Sequence, residues 1–195
     1  MAGSVTGASA HLERALGADG VPGGLGWQLG GGGKALLWGL VIGGKGFFLA
    51  YPETSTARGS SLLRGGGGGF DLGYAVVNRS DRIVCPFVGI GGIGFDLSVA
   101  NISDEAMLLG SEEIEPNEDA TFSGGFWYLE GGVGAHRFTM AHGGPELGVE
   151  FGVMASFAAQ RWKNAAADDV GLLGPEFVGA YLKITGGGGG FFLQE

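Results

Sequence analysis

The chain has little of several things that soluble domains rely on. One cysteine, Cys85, stands in 195 residues, so no internal disulfide can form, and a small residue packed in a strand is its plainest role. Basic residues number 11 against 20 acidic ones, a formal net charge of −9. Phosphate binding needs clustered Lys and Arg, so nucleic acid is not an expected partner. Charged residues make up 16% of the chain where a typical soluble domain carries about 25%, too few to cover an ordinary wet surface. No apolar run reaches the length of a transmembrane helix; the nearest, Ala35 to Gly44, is bracketed by Lys34 and Lys45. Met1 to Gly20 places His11, Glu13 and Arg14 where a signal peptide would need its apolar stretch, so no signal peptide is expected there and the export route stays open.

Motifs for catalysis are missing in the same way. Gly89 to Gly94 has the glycine spacing of a dinucleotide fingerprint, but strand-forming Phe95-Asp-Leu-Ser-Val99 follows where a helix is required. Gly39 to Lys45 resembles a phosphate loop in spacing, with Gly46 where Ser or Thr should hold magnesium. His11, His136 and His142 lack zinc-ligand spacing, and no serine sits in a nucleophile elbow. The acidic stretch 103–120 lacks the oxygen-ligand spacing of a calcium loop and reads as a solvated loop. No catalytic residue, cofactor or metal is expected, and the chain does not read as an enzyme.

What is abundant is glycine, 44 residues, alternating with large apolar side chains. Phe70, Leu72, Tyr74 and Val76 occupy even positions, with Gly69, Asp71, Gly73 and Ala75 between them. Strands send successive side chains to opposite faces, so one face is bulky and the other small or charged. Leu147, Val149, Phe151 and Val153 repeat the pattern opposite Gly148, Glu150 and Gly152. Trp127, Leu129 and Val133 lie opposite Tyr128, Glu130 and His136, and Leu182 and Ile184 opposite Tyr181, Lys183 and Thr185. Along 82–99 the large residues change parity at Gly91-Gly92, which predicts a β-bulge there.

Candidate strands fall at about 24–34, 36–50, 61–78, 82–99, 121–139, 146–160 and 174–186, with a last extended piece near 188–193, about eight in all. Asn78–Asp81 and Gly143–Pro145 look like tight turns; 51–58, 103–120 and 162–174 are longer loops. Ser9 to Leu16 predicts a short helix with Ser9 as N-cap and Gly17 as its stop. The division expected is a tail or short helix over 1–22 and one β-domain over 23–193.

Gly66 to Asn78, Val88 to Leu97 and Gly174 to Gly186 give the chain a texture that resembles the small, glycine-rich outer-membrane β-barrel proteins of bacteria. The resemblance implies a closed antiparallel up-and-down β-barrel of about eight strands, membrane lipid as partner, and a non-enzymatic structural, anchoring or narrow-pore role in the outer membrane or cell envelope. With bulky faces outward, Phe70, Leu72, Tyr74, Val76, Leu147, Val149, Phe151 and Val153 face lipid. Asp71, Glu130, His136, Glu150 and Lys183 then converge on the lumen, where an unpaired charge is costly, and Lys183 is expected to meet Glu130, Glu150 or both. Two alternatives stay open: a soluble lipocalin-like barrel binding a small hydrophobic ligand, and a self-associating β-protein forming a homo-oligomer or filament.

Overall fold

The fold was established from a computed structural model that describes residues 6–22, 27–79, 81–140, 143–166, 168–171 and 178–192. Among the described residues the structure is all-β apart from one N-terminal helix, α1 (Thr6–Leu16), and a single 3₁₀ turn over Ala18–Gly20. Eleven strands are described: β1 (Trp27–Leu37), β2 (Leu40–Ala50), β3 (Thr54–Ser55), β4 (Gly59–Tyr74), β5 (Val77–Arg79), β6 (Arg82–Asn101), β7 (Met107–Leu109), β8 (Glu112–Ile114), β9 (Asp119–Met140), β10 (Gly143–Lys163) and β11 (Val178–Phe192). That exceeds the eight or so expected. Seven of them, β1, β2, β4, β6, β9, β10 and β11, pair in chain order, and β1 pairs with β11 to close the ring. The expected eighth piece near 188–193 is the continuation of β11.

Seven is odd, and that number overturns the expectation of an antiparallel sheet throughout. Neighbours can alternate in direction all the way round only if the count is even, so one joint must be parallel. It falls between β1 and β11, with Gly32 opposite Gly187 through Leu37 opposite Phe192. Following the other six pairings from Lys34 leads through Gly43, Asp71, Gly89, Glu130 and Met154 to Gly179. The partner of Lys34 across the parallel joint is Gly189, ten residues further along β11. Such a stagger is what tilted strands require to close on themselves.

One end of the ring has short connections. Trp38 and Gly39 join β1 to β2 with φ of 50° and 88°, the left-handed pair that suits a two-residue hairpin. β5 folds back onto β6, making the expected hairpin around Asn78–Asp81, of which Ser80 lies outside the described residues. The expected tight turn at Gly143–Pro145 falls inside β10. Leu36, Val41, Ala75, Ile83, Cys85 and Phe138 fill this end of the interior.

The other end carries the long connections and a larger core. β4, β6, β9 and β10 run on past the ends of their neighbours and send Leu63, Phe95, Leu97, Val99, Phe122 and Trp162 inward. The acidic stretch is not a bare loop. It contains the β7–β8 hairpin, which buries Met107, Leu109 and Ile114. Asn101 ties it down, its side-chain amide donating to the carbonyls of Glu105, Ile114 and Glu115. Helix α1 closes the base with Leu12, Ala15 and Leu16. It begins at least as early as Thr6, so Ser9 lies inside it rather than capping it, and it stops at Gly17 (φ 88°) as expected. In the connection after β10, Asp169 accepts hydrogen bonds from the Gly171 N–H and from Arg161, which hold its carboxyl below the usual range.

The bulge expected at Gly91-Gly92 is absent. β6 stays in unbroken register with both β4 and β9 from Gly73/Phe87 to Ala100/Asp119. Side chains alternate without a slip; what changes is which face carries the apolar residues. Val88 and Ile90 point outward, whereas Ile93, Phe95, Leu97 and Val99 point inward and Asp96 and Ser98 take the outside. The register breaks in the ring are on β10, at its start and between Phe157 and Lys163, where Ala158 takes a φ of 48°.

Candidate functional site

Several inward glycines leave room for a large neighbour. A side chain at Gly91 would run into the Tyr128 hydroxyl and the Gly68 carbonyl. The space so left is occupied by charged side chains. Among the described residues Asp71, Glu130, His136, Glu146 and Glu150 are all buried, each held on the inner face by the strand alternation of β4, β9 or β10.

Glu150 is the centre of one half of the network. Lys183, its register partner on β11, lies 2.6 Å away, and Lys34 reaches it from β1, also at 2.6 Å. Lys45 on β2 is the centre of the other half, paired with Asp71 at 3.1 Å and with Glu130 across the ring. The Tyr181 hydroxyl donates to the second oxygen of Glu130 at 2.8 Å. His136 Nδ1 lies 2.6 Å from Glu146, a close contact without hydrogen-bond direction, and its Nε2 is 3.7 Å from Glu150. Lys34 and Lys45 each stand 6.0 Å from the Phe87 ring centre, on the face that attracts cations.

Burying such groups singly would cost several kcal/mol each, so their pairing is a condition of this fold rather than an ornament. A cavity of about 60 Å³ adjoins the network, bounded by Lys34, Asp71, Glu146, Glu150 and Lys183. That is room for a few water molecules and no more. No group of His, Cys, Asp and Glu able to hold a metal ion occurs among the described residues.

All five residues expected in the interior, Asp71, Glu130, His136, Glu150 and Lys183, lie there, and Lys183 meets Glu150 rather than Glu130. Phe70, Leu72, Tyr74, Leu147, Val149, Phe151 and Val153 are all exposed on the outside of the ring, and Val76 is exposed just past the end of β4. Sequence reasoning missed Lys34, Lys45, Glu146 and the Tyr181 hydroxyl. The two lysines look like flanks of a single apolar run until that run is folded at Trp38-Gly39; Lys34 then faces Gly43, and Lys45 faces Gly32. His142 lies outside the described residues.

Compared with known proteins, the chain matches no family model, no curated protein and no solved structure.

Proposed function

We propose that this chain is a non-enzymatic transmembrane β-barrel of the cell envelope, of the bacterial outer-membrane type, which anchors its water-facing base in the bilayer and keeps its own lumen closed. The observation that carries this reading is the inverted polarity of the upper ring: charges inside, a continuous apolar surface outside. On β9 the outward residues from Gly125 to Ala135 include Trp127, Leu129 and Val133 and no charge; Ser123 lies below them and Arg137 above. The ten steps from Gly125 to Ala135, at ~3.3 Å each and tilted by ~40°, span about 25 Å. That is the height of the apolar band of membrane barrels.

Neighbouring strands support the same band. Leu72 and Phe70 on β4, Val88 and Ile90 on β6, and Val149, Phe151 and Val153 on β10 are exposed within it. A soluble ligand-binding barrel would place these residues in water, an apolar surface far larger than soluble monomers carry. Closure pairs the backbone along six of the seven joints, as a spanning sheet requires. Ion pairs that cross the lumen, Lys45 to Glu130 and Lys34 to Glu150, favour a plugged interior over a solute pore.

The test is expression without detergent, separation of membrane and soluble pools, and gel mobility before and after heating. Recovery in the membrane pool with a heat-dependent mobility shift, and no conductance steps in planar bilayers, is the expected result. A stable monomer in plain buffer would contradict the membrane reading, and steady conductance would contradict the closed lumen.

A further inference from the structure

The ring is not zipped along its whole seam. Below Gly32 and Gly187 the register would bring Trp27–Gly31 of β1 opposite Leu182–Gly186 of β11, yet no pairing joins these described residues. A pocket of about 350 Å³ lies there, lined by Trp27 and Gln28 of β1, by Leu182 and Ile184 of β11 and, inside the ring, by Tyr128 and Glu130. Trp27, Leu29, Leu182 and Ile184 flank the gap outside, all strongly exposed. Resting on the membrane reading, this gap puts unpaired backbone N–H and C=O groups at bilayer depth, where lipid cannot satisfy them.

The lumenal side of the pocket has hydrogen-bond donors to spare. The Tyr128 hydroxyl is fully buried and has no partner. Gln28, which carries an amide donor, lines the same pocket. Lys183, the least covered of the interior lysines with 22% of its side chain exposed, has three N–H groups and one carboxylate partner. Glu130, the carboxylate that lines this pocket, is already engaged, taking Lys45 on one oxygen and Tyr181 on the other, so these side-chain donors have no carboxylate of the pocket left to meet. A ligand head must therefore bring acceptors. An anionic head is disfavoured because Asp71, Glu130, Glu146 and Glu150 already outnumber Lys34, Lys45 and Lys183 inside the ring, and a cationic head brings no acceptors, which leaves an uncharged one.

We infer that the gap between β1 and β11 is a lateral binding site for a single-chain acyl ester. Its carbonyl head lies inside the ring against Tyr128, Gln28 and Lys183, and its chain lies outside along Trp27, Leu29, Leu182 and Ile184. The head reaches donors that the fold leaves unused, and the chain never leaves an apolar surface.

The test is displacement of a radiolabelled monoacylglycerol from the full chain in nanodiscs of diether phospholipid, which contain no competing ester. Insertion is checked first by the heat-dependent mobility shift; if the protein instead stays in buffer, the membrane reading fails and the same titration there decides this proposal separately. The ester is expected to bind saturably and at least tenfold more tightly than both the matching alkyl ether and the free fatty acid. Tyr128→Phe combined with Gln28→Leu is expected to weaken ester binding about tenfold and to leave ether binding unchanged, with thermal stability retained as the check on folding. Equal affinity for ester and ether, tighter binding of the acid, absence of saturable binding, or no response to a folded double variant would overturn the proposal.

Discussion

The two halves of β6 are built on one alternation and two opposite polarities. From Arg82 to Gly92 the strand shows Val88 and Ile90 to the outside and Cys85, Gly89 and Gly91 to the inside. From Ile93 to Asn101 it shows Asp96 and Ser98 outside and packs Phe95, Leu97 and Val99 within. β9 reverses at the matching level, with Thr121 and Ser123 outside Phe122 below, and Trp127 and Leu129 outside Tyr128 and Glu130 above. The backbone does not change across the reversal; the surroundings for which each face is suited do. The base has the ordinary greasy core of a soluble sheet, whereas the band has a small, charged, glycine-lined interior that is stable only because its ions are paired.

The sharpest way to break the comparison is to remove a charge inside the band. Glu150→Ala strands Lys34 and Lys183 together, and loss of a buried partner costs about 3–5 kcal/mol, to be read from the denaturant midpoint of the folded protein. Lys183→Met should be less damaging when combined with Glu150→Gln than the sum of the two alone, since the groups are in contact; additive effects would reject that coupling. Lys34 would still be unpaired in the double variant, so full recovery is not expected.

In the base the matching change is apolar. Leu97→Ala opens a cavity in a conventional core and should cost about 2–5 kcal/mol, with no effect on membrane recovery. Outward positions separate the halves most cleanly. Phe151→Arg in the band should cost about 2–4 kcal/mol at mid-depth and reduce membrane recovery. Ser123→Arg, outward on the base side of the reversal, should change stability by no more than about 0.5 kcal/mol and leave recovery intact.

Much of this was legible in the residues. Alternation at Phe70–Val76 and Leu147–Val153 is strict, so face assignment needed only the period of a strand. β6 was misread because a reversal of polarity and a one-residue bulge leave the same trace in a sequence: large residues move from even to odd positions either way. Only the register with β4 and β9 tells them apart, since a bulge would have shifted it. The ring holds one strand fewer than the expected eight because the glycine run 186–190, which suggests a break, is the segment where β11 meets β1 across the parallel joint; the total is higher because the short strands β3, β7 and β8 lie in stretches that read as loops and β5 lies at the expected turn. Ion-pair partners depend on which strands lie across the ring, and Lys34–Glu150, separated by 116 residues, leaves no local signal.

The most direct measurement of the polarity reversal is a cysteine scan of outward β6 positions in a Cys85→Ala background, with the protein in lipid vesicles. Pro86, Val88, Ile90, Asp96 and Ser98 would each carry a spin label, tested against a lipid-soluble and a water-soluble relaxation agent. Labels at Pro86, Val88 and Ile90 should respond to the lipid-soluble agent and those at Asp96 and Ser98 to the water-soluble one, with the change falling between Ile90 and Asp96. Water accessibility at all five positions would contradict a band that meets lipid.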